Sequence, residues 1–241
     1  MVILGNSRKD SMKQSDNKTP CAASEYDENV QKAMPFYESF HNETIDLVKA
    51  VKPQAKCWLD TGCGTGFLIE KAFSQFHRTF FILADPSKEM LLEAGKRLRF
   101  VPSDRIMFID SVGSEDLRGN LTMQPEVITA VMCHHYLKPP QRQNAVKACF
   151  DSLAPGGIFI TFENIYPDSE RLLEIGLRRW KEFQLSQGRN AEAVEKHLER
   201  FNKEYFPVRV SEHLDLLTRC GFSAVSLFWY SQMQAGFYAI K

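Results

Sequence analysis

Apolar residues follow two alternating spacings along the middle of the chain. Five short apolar runs, rich in Ile, Val and Phe, are too short for helices and predict buried strands. They lie at residues 57–59, 80–84, 106–109, 127–132 and 158–162. Between them, apolar residues recur at three- and four-residue steps, which predicts helices packed on a sheet. Because the strands are continuously apolar, we expect a parallel sheet that is covered on both faces.

The N-terminal side and the region after the fifth strand depart from this alternation. Before residue 57, the apolar spacing predicts two short helices that are broken near Pro35 and His41. After residue 162, two consecutive helical patterns are separated by the breaker Gln187-Gly188. They predict a helical cap insertion at about 168–205.

The C-terminal part returns to strands. A helix near residues 211–220 precedes apolar runs at 222–230 and 236–240, which a short loop joins as an antiparallel pair. The predicted fold is therefore α/β, with a doubly wound, Rossmann-like and mostly parallel seven-stranded sheet. It carries an antiparallel C-terminal strand and the helical insertion after strand five.

Length and composition restrict the class of protein. The 241 residues predict one enlarged domain, which we place at 24–241 after a disordered polar tail at 1–23. Lys plus Arg (30) equals Asp plus Glu (30), so no overall positive field attracts nucleic acid or an anionic membrane. The six cysteines are scattered without a CxxC pair, and no apolar run approaches the roughly 18 residues of a membrane span. We expect a soluble, cytoplasmic protein without a metal site.

A glycine-rich turn between the first strand and the next helix is the sharpest local signal. Residues 58–66 read Trp-Leu-Asp-Thr-Gly-Cys-Gly-Thr-Gly, with glycines at Gly62, Gly64 and Gly66. Glycines allow a tight turn and bring backbone N–H groups against a ligand. In open α/β sheets, ligands bind in this crevice beyond the carboxyl ends of the strands. A tight strand-to-helix turn without a ligand is the alternative interpretation.

Three successive predicted strands end near a carboxylate: Asp60, Asp85 and Asp110. Asp85 follows Gly66 by 19 residues, a position from which a carboxylate accepts hydrogen bonds from both ribose hydroxyls. Asp110, followed by Ser111, is placed to meet the next part of a nucleoside. Because Asp also commonly caps helices, a capping role for Asp110 is the alternative.

The spacing of the turn distinguishes between types of nucleotide. A dinucleotide fingerprint reads GxGxxG, whereas here the third glycine comes one residue early and is followed by Phe67. The P-loop motif is absent, and no basic residue lies in the turn to neutralise a pyrophosphate. We therefore predict an adenosine ligand without phosphates.

This combination resembles the S-adenosylmethionine (SAM) site of class I methyltransferases. The resemblance covers roughly residues 26–241. It rests on residues 59–66, Asp85, Asp110, 127–136 and 153–157. Within the superfamily, the chain is most similar to carboxy-SAM synthases and their small-molecule methyltransferase relatives. That closer similarity rests on Tyr26-Asp27, on residues 34–37 and on the C-terminal segments 220–222 and 239–241.

The resemblance implies a set of cofactor contacts. They are Tyr26, Tyr37, Asp60, Gly62, Cys63, Gly64, Gly66, Asp85, Pro86, Asp110, Ser111 and Cys133. By resemblance, Asp60 would face the region of the amino group and Asp85 would hold the ribose. Asp110 and Ser111 would border the adenine.

Catalysis in such an enzyme depends mainly on positioning, because SAM already carries an activated methyl group. The resemblance places Cys133 and His134 near the sulfonium, and Tyr26 or Tyr37 would close the cofactor site. His134 and His135 are candidate catalytic bases for an amine or alcohol acceptor. The alternative is that both histidines are hydrogen-bonded loop residues.

Relatives carry a substrate cover where this chain has its insertion. Trp180, Arg178 and Arg179 are candidates to line a pocket there, although a solvated helix face is favoured for the two arginines. Carboxy-SAM synthase relatives bind the additional carboxylate of carboxy-SAM through an arginine in this insertion. Arg200 lies in a comparable helix, and Leu198 is the alternative occupant of that position. The form of the glycine turn also favours plain SAM.

The predicted function is SAM-dependent transfer of a methyl group to a small-molecule acceptor by in-line displacement. The alternatives are a carboxy-SAM synthase-like or RNA-modification enzyme, and a non-catalytic SAM-binding protein. The expected partners are a small-molecule substrate and a second copy of the chain in a homodimer. A membrane or a nucleic acid is not an expected partner.

Overall fold

The computed structural model describes Thr19 and residues 21–241. The predicted tail at 1–23 therefore lies outside the described residues except for Thr19 and its last three positions. Seven strands in this part of the chain form one sheet. They are β1 (Cys57–Thr61), β2 (Phe80–Asp85), β3 (Ile106–Asp110), β4 (Val127–Val131), β5 (Ile158–Asn164), β6 (Ala224–Ser231) and β7 (Gln234–Ile240).

Eight α-helices accompany the sheet within the described residues. They are α1 (Tyr26–Ala33), α2 (Tyr37–Val51), α3 (Phe67–Phe73), α4 (Lys88–Arg97), α5 (Pro139–Ser152), α6 (Glu170–Ser186), α7 (Ala191–Glu199) and α8 (Val210–Cys220). None of these helices combines the length and the apolar composition that crossing a bilayer requires.

The strand order is β3-β2-β1-β4-β5-β7-β6, which confirms the predicted doubly wound architecture. Strands β1 to β5 pair in parallel, whereas β7 is antiparallel to both β5 and β6. The C-terminal hairpin and its antiparallel last strand are therefore also confirmed. The first, second, third and fifth strands continue beyond their apolar runs into polar residues, because the backbone ladder still pairs there, as between Thr61 and Ala84 or Asp85 and Asp110.

Both faces of the sheet are buried, as the continuous apolar strands predicted. Alternate side chains of a strand point to opposite faces. On β1, Trp58 joins the core that also contains Phe40 of α2, whereas Leu59 joins the core that also contains Val146 of α5. The helices on the two faces fix the strands, and the loops beyond the carboxyl ends of the strands are left to form a site.

The predicted break near Pro35 is confirmed, because α1 ends at Ala33 and α2 begins at Tyr37. The predicted break near His41 is wrong, because α2 continues through this residue. The His41 ring is buried and packs edge-on against Tyr37 and Phe67, with ring centroids 4.8 Å and 5.0 Å away. Burial lowers the pKa of His41 to about 3, so the ring packs as a neutral group inside the helix.

Helices α6 and α7 occupy the range predicted for the insertion and pack onto the N-terminal segment. Trp180 of α6 is fully buried, and its indole Nε1–H donates a hydrogen bond of 2.6 Å to the carbonyl oxygen of Ala33. This bond joins the cap to the end of α1. The same contact brings α1 and α7 to opposite sides of a cavity described below.

Trp180→Phe should lower the free energy of unfolding by about 1–3 kcal/mol, because it leaves a buried carbonyl without its donor and removes ring volume. Urea denaturation measures this loss. Trp229→Phe is the control, since Trp229 packs against Phe40 and Phe162 but its indole donates to no described residue. Equal losses in the two variants would show that the hydrogen bond to Ala33 does not stabilise the cap.

Candidate active site

The carboxyl ends of β1, β2 and β4 border a narrow cavity, which we call the strand-end cavity. The chain places β2 and β3 on one side of β1 and β4 and β5 on the other, and such a reversal of strand order opens a crevice. The cavity has a volume of about 150 Å³. Its walls include Gly62, Gly64, Asp85, Ser114, Cys133 and Tyr136.

The three glycines of the turn have left-handed backbone conformations, with φ of +64° at Gly62, +54° at Gly64 and +76° at Gly66. A Cβ on Gly62 would lie 2.4 Å from the Cβ of Cys133, so no larger residue fits there. A Cβ on Gly64 would meet no heavy atom within 4 Å, because this glycine borders open space. Gly66 instead packs against Ala94 of α4 and shapes the turn from behind.

Asp85 joins the glycine turn to the end of β2. Its two carboxylate oxygens accept hydrogen bonds from the backbone N–H of Gly64 at 2.9 Å and of Ser87 at 2.8 Å. The side chain is buried in the cavity wall beside Pro86. Asp85 thus places a hydrogen-bonded carboxylate in the wall of the strand-end cavity.

Asp60 lies in a small recess next to the strand-end cavity, which we call the Asp60 recess. Tyr26, Tyr37 and Cys63 also line it. Thr129 donates a hydrogen bond of 2.6 Å to Asp60 Oδ1 and accepts one of 2.9 Å from Trp58 Nε1. Burial raises the pKa of Asp60 to about 7, an effect that the Thr129 hydrogen bond opposes. Asp60 is therefore a buried carboxyl group with a raised pKa, and a cation bound beside it would favour its ionised form.

The predicted adenine contacts, Asp110 and Ser111, lie outside the wall of the strand-end cavity. The Asp110 side chain is 73% exposed and pairs with Lys88 at 3.6 Å, and Ser111 donates to it at 3.1 Å. The wall is formed instead by residues 113–115, just beyond them. The sequence does not show whether residues 110–111 or residues 113–115 reach the cavity, because that depends on where the loop turns after the edge strand β3. Their adenine role stays a prediction.

Helix α1 is fixed over the glycine turn by a polar clamp that the sequence did not reveal. Asp27 accepts a hydrogen bond of 2.7 Å from Thr65 and forms an ion pair with Arg97 of α4. Arg97 also donates to the Thr65 carbonyl at 2.9 Å and to Glu70 at 2.5 Å. The clamp places Tyr26, the neighbour of Asp27, in the walls of both the strand-end cavity and the Asp60 recess.

Tyr37 lines the Asp60 recess but not the strand-end cavity itself. Burial raises the pKa of both Tyr26 and Tyr37, so both phenols are neutral at ordinary pH. Cys63 and Cys133 stand on either side of Gly62, and Cys133 Sγ contacts the Thr61 carbonyl at 3.3 Å. Burial also raises the pKa of both thiols well above the usual value, which disfavours a thiolate here.

A second cavity of about 480 Å³ lies between α1 and the cap, and we call it the cap cavity. Its walls include Val30 and Met34 of the N-terminal segment, His135, and Arg189, Ala193 and His197 of the cap. It adjoins the strand-end cavity, since Tyr26, Met132 and Tyr136 belong to both walls. The two cavities are therefore neighbours that share these three side chains.

The cap residues expected near a pocket occupy different places. Trp180 is buried behind the cavity, and Arg178 and Arg179 are exposed, so the favoured interpretation of a solvated helix face is correct for both arginines. Arg189 and His197 were not predicted to line a pocket. Arg189 lies in the loop after the breaker and His197 lies on α7, and the sequence pattern around neither residue indicates a pocket.

His134 and His135 face different cavities. His134 lines the strand-end cavity, and its Nε2 is 2.8 Å from Ser114 Oγ, which in turn is 2.8 Å from Thr61 Oγ1. His135 lines the cap cavity, and its buried Nδ1 has no hydrogen-bond partner among the described residues. Burial, followed by the charge of Arg142, lowers the pKa of each to about 3. Both rings are therefore neutral, and their catalytic role stays a prediction.

Arg142 of α5 holds the loop that separates the two cavities. Its Nε donates a hydrogen bond of 3.2 Å to the carbonyl of His134, and its guanidinium also donates to the carbonyl of Phe206. The Phe206 N–H returns a hydrogen bond of 2.6 Å to the carbonyl of His135. These bonds tie the loop after β4 to the segment that follows the cap, so both cavities share one rigid wall.

Comparison with known proteins agrees with this geometry. A methyltransferase domain model matches residues 59–159, which include the glycine turn, Asp60 and Asp85. This match, together with the relatives and structures described below, supports similarity to class I SAM-dependent methyltransferases. The resemblance recognised in the sequence is thereby confirmed, and with it the predictions of an enzyme and of SAM as its cofactor.

Among curated proteins, the chain is similar to carboxy-SAM synthases. It is 25% identical to the one from Nautilia profundicola over 227 residues, which cover 91% of this chain and 92% of that protein. The enzyme from Wolinella succinogenes is 26% identical over 209 residues, covering 83% of this chain and 82% of its own length.

Solved structures show the same fold at low sequence identity. The N-methyltransferase NodS from Bradyrhizobium japonicum, in complex with S-adenosyl-L-homocysteine, has a TM-score of 0.59 and 14% identity, covering 86% of this chain and 87% of that one. An O-methyltransferase family protein from Burkholderia thailandensis has a TM-score of 0.59 and 13% identity over 93% of this chain. The chain spans only 65% of that protein and 58% of a similar structure from Nostoc punctiforme.

The ionisation of Asp60 gives a pH-dependent prediction. Its pKa of about 7 in the folded protein exceeds its ordinary value of 3.8, so its stabilising contribution is present below pH 4 and is lost as pH rises through 7. Asp60→Asn carries no such charge. The free energy of unfolding of Asp60→Asn minus that of the wild type should be more positive at pH 8 than at pH 5, by on the order of 2 kcal/mol.

Urea titrations at the two pH values measure this difference. Asp104→Asn, at an exposed carboxylate, is the matched control and should show almost no change between the two pH values relative to the wild type. If the free energy of unfolding changed equally with pH in Asp60→Asn and in the wild type, ionisation of Asp60 would not destabilise the folded protein, which would contradict the prediction.

Proposed function

We propose that the chain transfers a methyl group from SAM, bound in the strand-end cavity and the Asp60 recess, to a small molecule in the cap cavity. The observation that carries this proposal is the shared wall of the two cavities at Tyr26, Met132 and Tyr136. Methyl transfer requires a donor and an acceptor in direct contact, and two neighbouring cavities bring the two partners close to each other.

The residues of the first site fit SAM. Asp85 presents a carboxylate, an acceptor of hydrogen bonds from ribose hydroxyls, in the cavity wall, and Gly64 leaves open space beside it. Asp60 offers a buried carboxyl group to a cationic amino group. The described residues that line the strand-end cavity and the Asp60 recess include no lysine or arginine, which suits a positively charged sulfonium and an adenosine without phosphates.

When bound, the cofactor supplies the activated methyl group, and the protein positions the two partners and excludes water. The rings of Tyr26 and Tyr136 stand at the junction, where aromatic faces stabilise a nearby positive charge by about 0.5–2 kcal/mol. A histidine with a pKa near 3 is a weak base at neutral pH. The site therefore favours an acceptor that needs no strong base, such as a phenolate, an enolate or a neutral amine.

Asp85→Asn should weaken SAM binding about 10- to 100-fold, because it removes one carboxylate oxygen from a wall that holds both the turn and the ligand. Asp104→Asn is the matched control and should change affinity less than about 3-fold, since Asp104 is exposed and lines neither the strand-end cavity nor the Asp60 recess. Calorimetric titration of each variant with SAM measures both values. An Asp85→Asn protein with unchanged affinity would contradict the proposed cofactor site.

Incubation with SAM labelled in its methyl group tests the transfer itself. With a metabolite extract and an RNA extract in parallel, we expect label in one or a few small molecules and none in RNA. Label in RNA would support the RNA-modification alternative instead. Absence of label from both extracts would favour a non-catalytic SAM-binding protein.

A carboxy-SAM synthase-like activity is the second candidate. The similarity to such enzymes across 91% of the chain favours it. Arg200 also lies close enough to Tyr136 and His135 to affect the pKa of both, although its Nε already pairs with Glu204 at 2.5 Å. Leu198, the alternative occupant of that position, packs against the apolar core. Mass spectrometry of the co-purified nucleoside separates the candidates, because a carboxylated sulfonium would support only the second.

A further inference from the structure

The cap cavity has a polar end that the methyl transfer described above does not use. Arg189 and His197 form this end, on the side of the cap and away from the strand-end cavity, whose wall contains neither residue. His135 adds a second imidazole to the same cavity. Three nitrogen-bearing side chains therefore converge on one enclosed space.

The two histidines are buried without hydrogen-bond partners for all of their nitrogens. Both ring nitrogens of His197 and the Nδ1 of His135 lack a partner among the described residues. His197 is 7% exposed, and its ring packs edge-on to Trp180 with centroids 5.2 Å apart. Unsatisfied buried polar groups are costly, so such groups facing a cavity indicate a ligand that completes their hydrogen bonds.

Arg189 supplies the charge of this polar end. Its guanidinium donates to Gln184 Oε1, which uses one of its five N–H groups. Within residues 21–241 and Thr19, no carboxylate forms an ion pair with Arg189. Burial lowers its pKa from the ordinary value, which reflects incomplete solvation of the cation. A planar guanidinium in this state is well suited to bind a carboxylate through two parallel hydrogen bonds.

The other charged groups around the cavity leave room for a single negative charge. Glu25 lines the cavity from an exposed position before α1, and Arg200, nearby, is paired with Glu204. Lys196 projects to solvent and pairs with Glu192. One unpaired cation facing an exposed acidic group accommodates a monoanion better than a doubly charged phosphate.

The rest of the cavity wall is partly apolar, since Thr19, Glu25 and Asn29 also line it. Val30, Ala33, Met34, Met132 and Ala193 line it between the polar end and the junction with the strand-end cavity. A volume of about 480 Å³ lies within the range of small-molecule sites, which is roughly 300–1,000 Å³. The walls therefore select a small ligand with an apolar body.

We propose that the methyl acceptor is a small organic monocarboxylic acid whose carboxylate is anchored by Arg189, with His197 completing its hydrogen bonds. The apolar body lies against α1 and Met132, and the reacting group at the opposite end reaches the junction at Tyr136. The carboxylate is thus a handle for orientation and is not the methylated atom. This inference rests on the proposed function, because it assigns the acceptor of that same site.

Matched acids and amides test the inference by titration calorimetry. The probes are 3-phenylpropionate and hexanoate, each compared with its primary amide, on protein saturated with S-adenosylhomocysteine. We expect both acids to bind at least 10-fold more tightly than their amides. Arg189→Gln should abolish this preference, and Arg189→Lys should retain part of it, because it keeps the charge but not the planar pair of donors.

Arg178→Gln, on the exposed face of the same cap, is the matched control and should leave the preference for acids unchanged. Each variant is first titrated with S-adenosylhomocysteine alone and unfolded in urea. Failure of the wild type to bind that nucleoside would overturn the proposed function. Normal nucleoside binding with equal affinity for acids and amides, with no binding of either acid, or with a preference that survives Arg189→Gln, would overturn this inference alone.

Discussion

The bridge that Asp85 makes between two backbone segments is the interaction on which the site depends. One oxygen accepts from Gly64 in the glycine turn and the other from Ser87 at the start of α4. These bonds fix the turn against the end of β2 and keep a carboxylate in the wall of the strand-end cavity. The left-handed conformation of Gly62 and its contact with Cys133 hold the other side of the turn to the loop after β4. The strand-end cavity follows from the meeting of three strand ends.

Helix α1 lies over the glycine turn, and the cap packs against α1. Asp27, Thr65 and Arg97 hold α1 on the turn, and Trp180 holds the cap on α1. Because both contacts involve α1, which contributes Tyr26 to both walls, a shift of this helix would change the strand-end cavity and the cap cavity together. The neutral histidines beside the junction agree with chemistry in which binding orients the reactants and no charged base is maintained.

The fold and the central part of the site were predictable because their signals are local. Continuous apolar runs identified the strands, and the spacing from the glycine turn to Asp85 identified the ligand end of the sheet. The continuation of α2 through His41 was not predictable, because it depends on aromatic partners that include Phe67 from another helix. Arg189 was missed for the same reason. This arginine lies in a loop, and it comes to line a cavity only when the cap packs against α1.

The determination of a crystal structure with S-adenosylhomocysteine tests the central claim most directly. The account predicts the ribose hydroxyls within hydrogen-bond distance of Asp85 and the sulfur at the junction beside Tyr26 and Tyr136, facing the cap cavity. A nucleoside bound elsewhere, or a sulfur that faces away from the cap cavity, would contradict it.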